Sequence, residues 1–153
     1  MCIRQRGAGG AQDDIAGMRV LLVEDNQINC EIVEYILREA GAEVATANDG
    51  KAAVEAFEAS APGTFDCVLM DLMMPVMSGY EAARVIRGLE RPDAGTVPII
   101  ALSANAFEED IALAKDAGMN EHLAKPVDIR RMLQVMNRLR GRQGLEARDE
   151  PAT

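Results

Sequence analysis

The stretch FDCVLMDLMMP, residues Phe65–Pro75, sets an apolar run at residues 67–70 against one carboxylate, Asp71, with Leu72, Met73 and Met74 beyond it. A charge in such company costs free energy unless something pairs with it. A short continuous apolar run reads as a strand covered on both faces, the signature of a parallel sheet. Parallel strands need long crossovers between them, usually helical. The flanking sequence supplies them.

Upstream, RVLLVE (residues 19–24) is a second short apolar run, followed by Ile28, Ile32, Val33, Ile36 and Leu37 at helical spacing and by Gly41 as a stop. AEVATA alternates as a strand, and KAAVEAFEA is helical up to Pro62-Gly63. Downstream, Ser78 and Glu81 form a capping box that opens a helix with Ala83, Ile86 and Leu89 on one face. VPIIAL is a fourth strand, and Phe107, Ile111, Ala114 and Gly118 mark a fourth helix. EHLA is a short fifth strand, and Ile129, Met132, Leu133, Met136 and Leu139 form the stripe of a last helix. The alternation predicts a (βα)5 α/β fold, a parallel five-stranded sheet with helices on both faces.

Composition narrows the function. A length of 153 residues, 48% of them hydrophobic, suits one domain with its own core. A net charge of -9 argues against nucleic-acid binding, which rests on basic patches, and 3% aromatics argue against base-stacking platforms. Cys2, Cys30 and Cys67 are odd in number and two lie in apolar periodic segments, so they read as reduced thiols of a cytoplasmic protein. No apolar stretch approaches the roughly 20 residues that cross a bilayer, and the N-terminal residues lack the apolar stretch of a signal peptide. Residues 1–17 read as a flexible leader and residues 140–153 as a flexible tail around a domain at residues 18–139.

In open α/β sheets, ligands bind outside the carboxyl ends of the strands. There the sequence places Glu24 and Asp25 after strand one, Asp71 on strand three, Ser103 on strand four and Lys125-Pro126 after strand five. Clustered carboxylates repel one another, and a hard divalent cation such as Mg2+ relieves them. Lys125 and Ser103 are donors suited to phosphoryl oxygens. Metal ligands beside phosphate donors point to phosphoryl transfer, with Asp71 as a carboxylate nucleophile and Glu24 and Asp25 holding the ion. Each signal has a bland reading as a cap, a turn or a helix-terminal charge, and only their convergence on one sheet edge outweighs it. The Met70, Met73, Met74 and Met77 cluster reads as packing, and His122, the only histidine, as neither metal ligand nor base.

Taken in order, VLLVEDN, DCVLMDLMMPVMSGYE, PIIALSANAF and AGMNEHLAKPVD resemble the receiver domains of two-component response regulators over residues 18–139. The resemblance implies a flavodoxin-like sheet of order 2-1-3-4-5, a fold for which the doubly-wound class is the reference. It implies Asp71 as phosphoacceptor, with Mg2+ held by Asp25 and Asp71 directly, by Glu24 through water, and by the backbone carbonyl of Met73. Ser103 stands at the hydroxyl switch position, where the family often has Thr. Lys125 is at the phosphate-binding lysine, with a cis peptide before Pro126. His122 is at the rotameric switch position, commonly Tyr or Phe. The wording EDNQIN, ALSANAF and AGMNEHLAKP is most similar to receivers of hybrid histidine kinases and phosphorelays. The implied partner is a histidine kinase or a histidine phosphotransfer protein. A homodimer through the face of the fourth helix, fifth strand and fifth helix is a further implied association. The implied role is that of a phosphoacceptor with slow autodephosphorylation, not a turnover enzyme; a parent hybrid sensor would be the kinase. Two alternatives are a receiver-like docking module without phosphorylation and an aspartate-nucleophile phosphatase. The latter would resemble an Asp-x-Asp arrangement after the first strand, whereas here the candidate follows strand three and residue 73 is Met.

Overall fold

The computed structural model describes residues 15–74, 76–104, 108–125 and 127–139. Nine elements alternate along them: β1 (Arg19–Val23), α1 (Gln27–Glu39), β2 (Glu43–Ala47), α2 (Gly50–Ala59), β3 (Cys67–Asp71), α3 (Gly79–Arg87), β4 (Ile99–Ser103), α4 (Glu108–Asp116) and β5 (Glu121–Ala124). Residues 129–139 are helical and are called α5. The strands form one parallel sheet of order β2-β1-β3-β4-β5, as expected.

The period-2 alternation of side chains divides the core in two. Leu21, Val23, Val68, Met70, Ile99 and Ala101 pack with Val54 and Phe57 of α2 and Ile86 of α3. Val20, Leu22, Leu69, Ile100 and Leu102 pack with Leu37 of α1 and Met132 and Met136 of α5 on the other face. Every residue of β3 and β4 is buried, and both strands are apolar up to their last residues, Asp71 and Ser103. Each such aliphatic side chain contributes about 1.5–3 kcal/mol. The helices start where short polar side chains cap them. Asn26 accepts from Asn29 N–H, Asp49 from Ala52 N–H, and Ser78 with Glu81 forms the expected reciprocal box.

Three sequence readings shift. Residues 15–17, assigned to the leader, join the domain: Ile15 is fully buried and Gly17 N–H donates to Gly41 O at 2.9 Å. One apolar residue beside polar neighbours carries no periodic signal, so its burial was invisible locally. Ile28 and Ile32, read with Leu37 as apolar residues at helical spacing on α1, are 68% and 53% exposed. The sheet covers only the side of α1 that carries Cys30 and Leu37, and a stripe this wide exceeds it. The fourth strand begins at Ile99, beyond Pro98, whose carbonyl still accepts from Val68 N–H at 2.8 Å. Cys30 and Cys67 are free buried thiols; burial pushes both above the ordinary thiol range, with nearby Glu34 adding at Cys30. Cys2, Phe107, Pro126 with its expected cis peptide, and residues 1–14 and 140–153 lie outside the described residues.

One polar cluster braces the far edge. The Arg91 guanidinium lies 4.5 Å over the Phe57 ring and donates to Phe57 O, Ser60 O and the Asp93 carboxylate, which also accepts from Gly63 N–H. Arginine's planar fork makes these contacts together. Arg91→Ala removes the one donor shared by Asp93, Phe57 O and Ser60 O. It should lower the melting midpoint by a few degrees, and stability should fall less than in the wild type as pH drops below the ordinary aspartate pKa. The reason is that Asp93 is held below the ordinary carboxylate range: burial opposes ionisation, and the bonds from Arg91 and Gly63 outweigh it. Its stabilising contribution is present above the ordinary aspartate pKa and is lost as pH falls through the depressed one. Thermal melts across acid pH check both effects.

Candidate functional site

The carboxyl ends of β1, β3, β4 and β5 meet at one edge. β1 runs into Glu24, held in register by its N–H on Ala47 O at 3.0 Å, and then into exposed Asp25. β3 ends on Asp71 and β4 on Ser103, each 3% exposed. Lys125 follows β5, fixed by its N–H on Ser103 O at 2.7 Å.

The side chains converge. One carboxylate oxygen each from Glu24, Asp25 and Asp71 lies within 4.8 Å of the others. Lys125 Nζ stands 3.1 Å from Glu24 Oε1 and 3.1 Å from Asp71 Oδ2. Asp71 Oδ1 accepts from Met73 N–H at 3.2 Å, and Glu24 Oε2 from Asn26 N–H at 3.2 Å. Three carboxylates against one ammonium leave two negative charges uncompensated. Burial pushes Asp71 above the ordinary carboxylate range, Glu24 adds to that, and Lys125 only partly offsets it. For Lys125 burial works against the ammonium, but Asp71 and Glu24 outweigh it and hold its pKa above the ordinary lysine value.

A donor set of hard oxygens with residual negative charge suits Mg2+, which takes one or two carboxylates and keeps several waters. Oxygen ligands about 2.1 Å from a common centre stand about 4.2 Å apart when opposed, so the cluster needs only small side-chain rotations to close on an ion.

The loop from β3 to α3 is seated by glycine contacts. A Cβ on Gly79 would lie 2.4 Å from Asp71 O, and one on Gly50 would lie 2.4 Å from Met77 O. Between these anchors Val76 adopts φ 70°, a conformation that costs a β-branched residue about 1–3 kcal/mol. Nothing in the sequence signals it, since valine is among the residues least expected there.

His122 pairs with Ala101, and Ala124 with Ser103, so His122 and Ser103 share one face of adjacent strands. The His122 Nε2 is buried and without a hydrogen-bond partner among the described residues. A cavity of about 320 Å3 lies beside it, walled by Ile111, Ala114 and Met119. A larger cavity of about 440 Å3 opens between α1 and α5, walled by Ile32, Val33, Val127 and Ile129, with Glu24 and Lys125 at its polar end. The five charged and hydroxyl residues singled out from the sequence thus stand on one edge. Sequence reasoning missed that Lys125 bridges Glu24 as well as Asp71, because nothing local encodes a pairing across 101 residues.

Comparison with known proteins agrees with this picture. Residues 20–137 match the family model described as response regulator receiver domain. The chain is 38% identical over 123 residues to the peroxide stress-activated histidine kinase mak1 of Schizosaccharomyces pombe, covering 80% of this chain and 8% of that protein. It is 40% identical over 119 residues to the sensor protein GacS of Pseudomonas syringae pv. syringae, covering 77% and 13%. The chain therefore spans only a small fraction of these relatives. Among solved structures, the receiver domain of a sensor histidine kinase from Pseudomonas aeruginosa superposes with a TM-score of 0.74 at 41% identity, covering 82% of this chain and 99% of that one. That structure has a magnesium ion coordinated in its active site cleft. The chemotaxis protein CheY4 of Vibrio cholerae superposes with a TM-score of 0.74 at 30% identity, covering 81% and 99%. No helix among the described residues is long and apolar enough to cross a membrane.

Proposed function

The chain belongs to the response regulator receiver domain family, and from that premise we propose that it accepts a phosphoryl group on Asp71 from a phosphohistidine. The observation that carries this reading is the buried Asp71 carboxylate, held between the Lys125 ammonium and the acidic pair Glu24 and Asp25. An Asp71 oxygen attacks phosphorus, the phosphorus–nitrogen bond of the donor breaks, and the imidazole leaves with the electron pair and takes up a proton. The product is an acyl phosphate.

Glu24, Asp25, Asp71 and the Met73 carbonyl would hold Mg2+, with Glu24 acting through water; the ion supplies charge neutralisation on the transferring oxygens. Lys125 already donates to Asp71 Oδ2 and is placed to follow charge onto the phosphoryl oxygens. Ser103 then donates its hydroxyl to the phosphoryl group and draws the end of β4 with it. His122, on the same sheet face, adjusts to the change and alters the surface of α4, β5 and α5, the surface through which a second copy pairs. The likeness to histidine kinases supports a histidine kinase or phosphotransfer protein as the donor, acting in a cytoplasmic setting.

The test uses acetyl phosphate. With Mg2+ present, intact mass should show one added phosphoryl group per chain, and with the metal chelated it should show none. Mg2+ alone should raise the melting midpoint in a concentration-dependent way. Labelling that persists without metal would sink the reading, as would a melting midpoint indifferent to Mg2+. A receiver-like docking module without phosphoryl chemistry has no use for three converging carboxylates.

A further inference from the structure

The cavity of about 440 Å3 between α1 and α5 is a crevice that reaches the sheet. Leu102 of β4 lines it although that residue is only 1% exposed. Val33 of α1, Val127 and Ile129 of α5 form the rest of its apolar wall, each only partly buried against the core beneath. Apolar surface left facing such a crevice forgoes about 25 cal/mol for each Å2 that a ligand could cover. Phosphoryl transfer at Asp71 uses none of these four side chains.

The other end of the crevice is charged, lined by Glu24 and Lys125. Glu24 Oε1 accepts from Lys125 Nζ at 3.1 Å, and Oε2 accepts from Asn26 N–H at 3.2 Å. A carboxylate offers about four acceptor positions, so both oxygens keep capacity for a further donor. With Asp25 and Asp71 beside Glu24 and one ammonium among them, the charge left over is negative. An apolar wall with an anionic end selects a molecule that is cationic at one end and hydrocarbon over the rest.

We propose that this crevice binds a small apolar monoamine, whose ammonium donates to Glu24 while its hydrocarbon body covers Val33, Leu102, Val127 and Ile129. A cavity of roughly 150 Å3 holds benzene, so this one has room for a ring and a short chain. A second ammonium would be stranded against the apolar wall, which excludes polyamines. A carboxylate would meet the residual negative charge and be repelled. The ammonium and Mg2+ draw on the same carboxylates, so each weakens the other by the same factor. That antagonism rests on the proposed function, which supplies the metal, whereas the amine site itself stands on the crevice alone.

The probe is phenethylamine, titrated at neutral pH into the full chain labelled with nitrogen-15 and followed by amide shifts. Binding should saturate, with the largest shifts at residues 29–33 and 127–129. The amine should bind about tenfold tighter than 2-phenylethanol, which has the same body and no charge, and 3-phenylpropionate should not bind. Glu24→Gln should bring the amine and alcohol affinities together, and Val33→Phe, which fills the crevice, should weaken both about tenfold. Saturating Mg2+ should weaken the amine in the wild type, and the amine should weaken Mg2+ equally. Absence of saturable binding overturns the site, as do equal wild-type affinities for the amine and the alcohol. A Val33→Phe chain that binds like the wild type overturns its location; should that variant not fold, the Glu24→Gln comparison decides. Amine binding indifferent to Mg2+ overturns the antagonism. A melting midpoint that Mg2+ alone does not raise overturns the proposed function instead, and the antagonism with it.

Discussion

Asp71→Asn should abolish phosphorylation from every donor and at the same time make the metal-free protein more stable. The first effect follows from chemistry: an amide has no anionic oxygen to attack phosphorus. The second follows from the site's electrostatics. Burial and Glu24 raise the pKa of Asp71 against the partial offset from Lys125, so its ionised form is the costly one in the folded state. A carboxyl whose folded pKa is raised destabilises the protein increasingly as pH climbs from the ordinary value, about 3.9, through the raised one. The variant and the wild type should therefore melt together in acid and diverge above that window. At neutral pH the variant should gain about 1 kcal/mol, or about 4 °C for a domain of this size. Mg2+ reverses the order, because it stabilises only the chain that binds it. Melting curves at several pH values, with and without Mg2+, separate these effects. A variant that is less stable than the wild type at neutral pH without metal would contradict the picture of Asp71 as a carboxylate held at a cost.

Gly79→Ala should be among the most damaging single-methyl additions in the chain. The new Cβ would sit 2.4 Å from Asp71 O and 2.9 Å from Leu72 Cα. Both are backbone atoms, so neither can step aside as the end of a flexible side chain would. Relief requires the start of α3 to move off the end of β3, breaking the bond from Gly79 N–H to Leu72 O at 3.1 Å and carrying Asp71 with it. The expected cost is about 3 kcal/mol, the upper part of the range for overpacking. Mg2+-dependent labelling by acetyl phosphate should fall with it. Gly95→Ala is the control, since its Cβ would meet nothing within 4 Å and its substitution should change little. Urea midpoints compare the two, and equal midpoints would show that the loop tolerates displacement.

The order of elements and the strand-end chemistry were legible because both are local. β3 and β4 are buried on both faces and so are apolar up to their last residues, Asp71 and Ser103, which marks them without reference to anything distant. The capping box at Ser78 and Glu81 is written in four residues and appears as read. Asp71 was conspicuous because a carboxylate closing an apolar strand has no local compensation. The sheet order 2-1-3-4-5 came from family resemblance, since periodicity alone does not say which strands are neighbours.

What the sequence could not encode locally is which side of an amphipathic segment finds cover. Ile28 and Ile32 fit the apolar stripe of α1 as well as Leu37 does, yet only Leu37 is buried. Ile15 has no periodic neighbours at all and is fully buried. Burial is a property of what packs opposite, and that is settled only when the sheet has closed. The same holds for charge. The sequence by itself determined that acids, a hydroxyl and an ammonium would stand at the carboxyl ends of parallel strands. Only the tertiary structure decided that Lys125 would reach both Glu24 and Asp71 at 3.1 Å, and that Val76 would be held at φ 70° beside them. Distances between residues far apart in the chain follow from packing the two cores against the sheet, and no local pattern carries them.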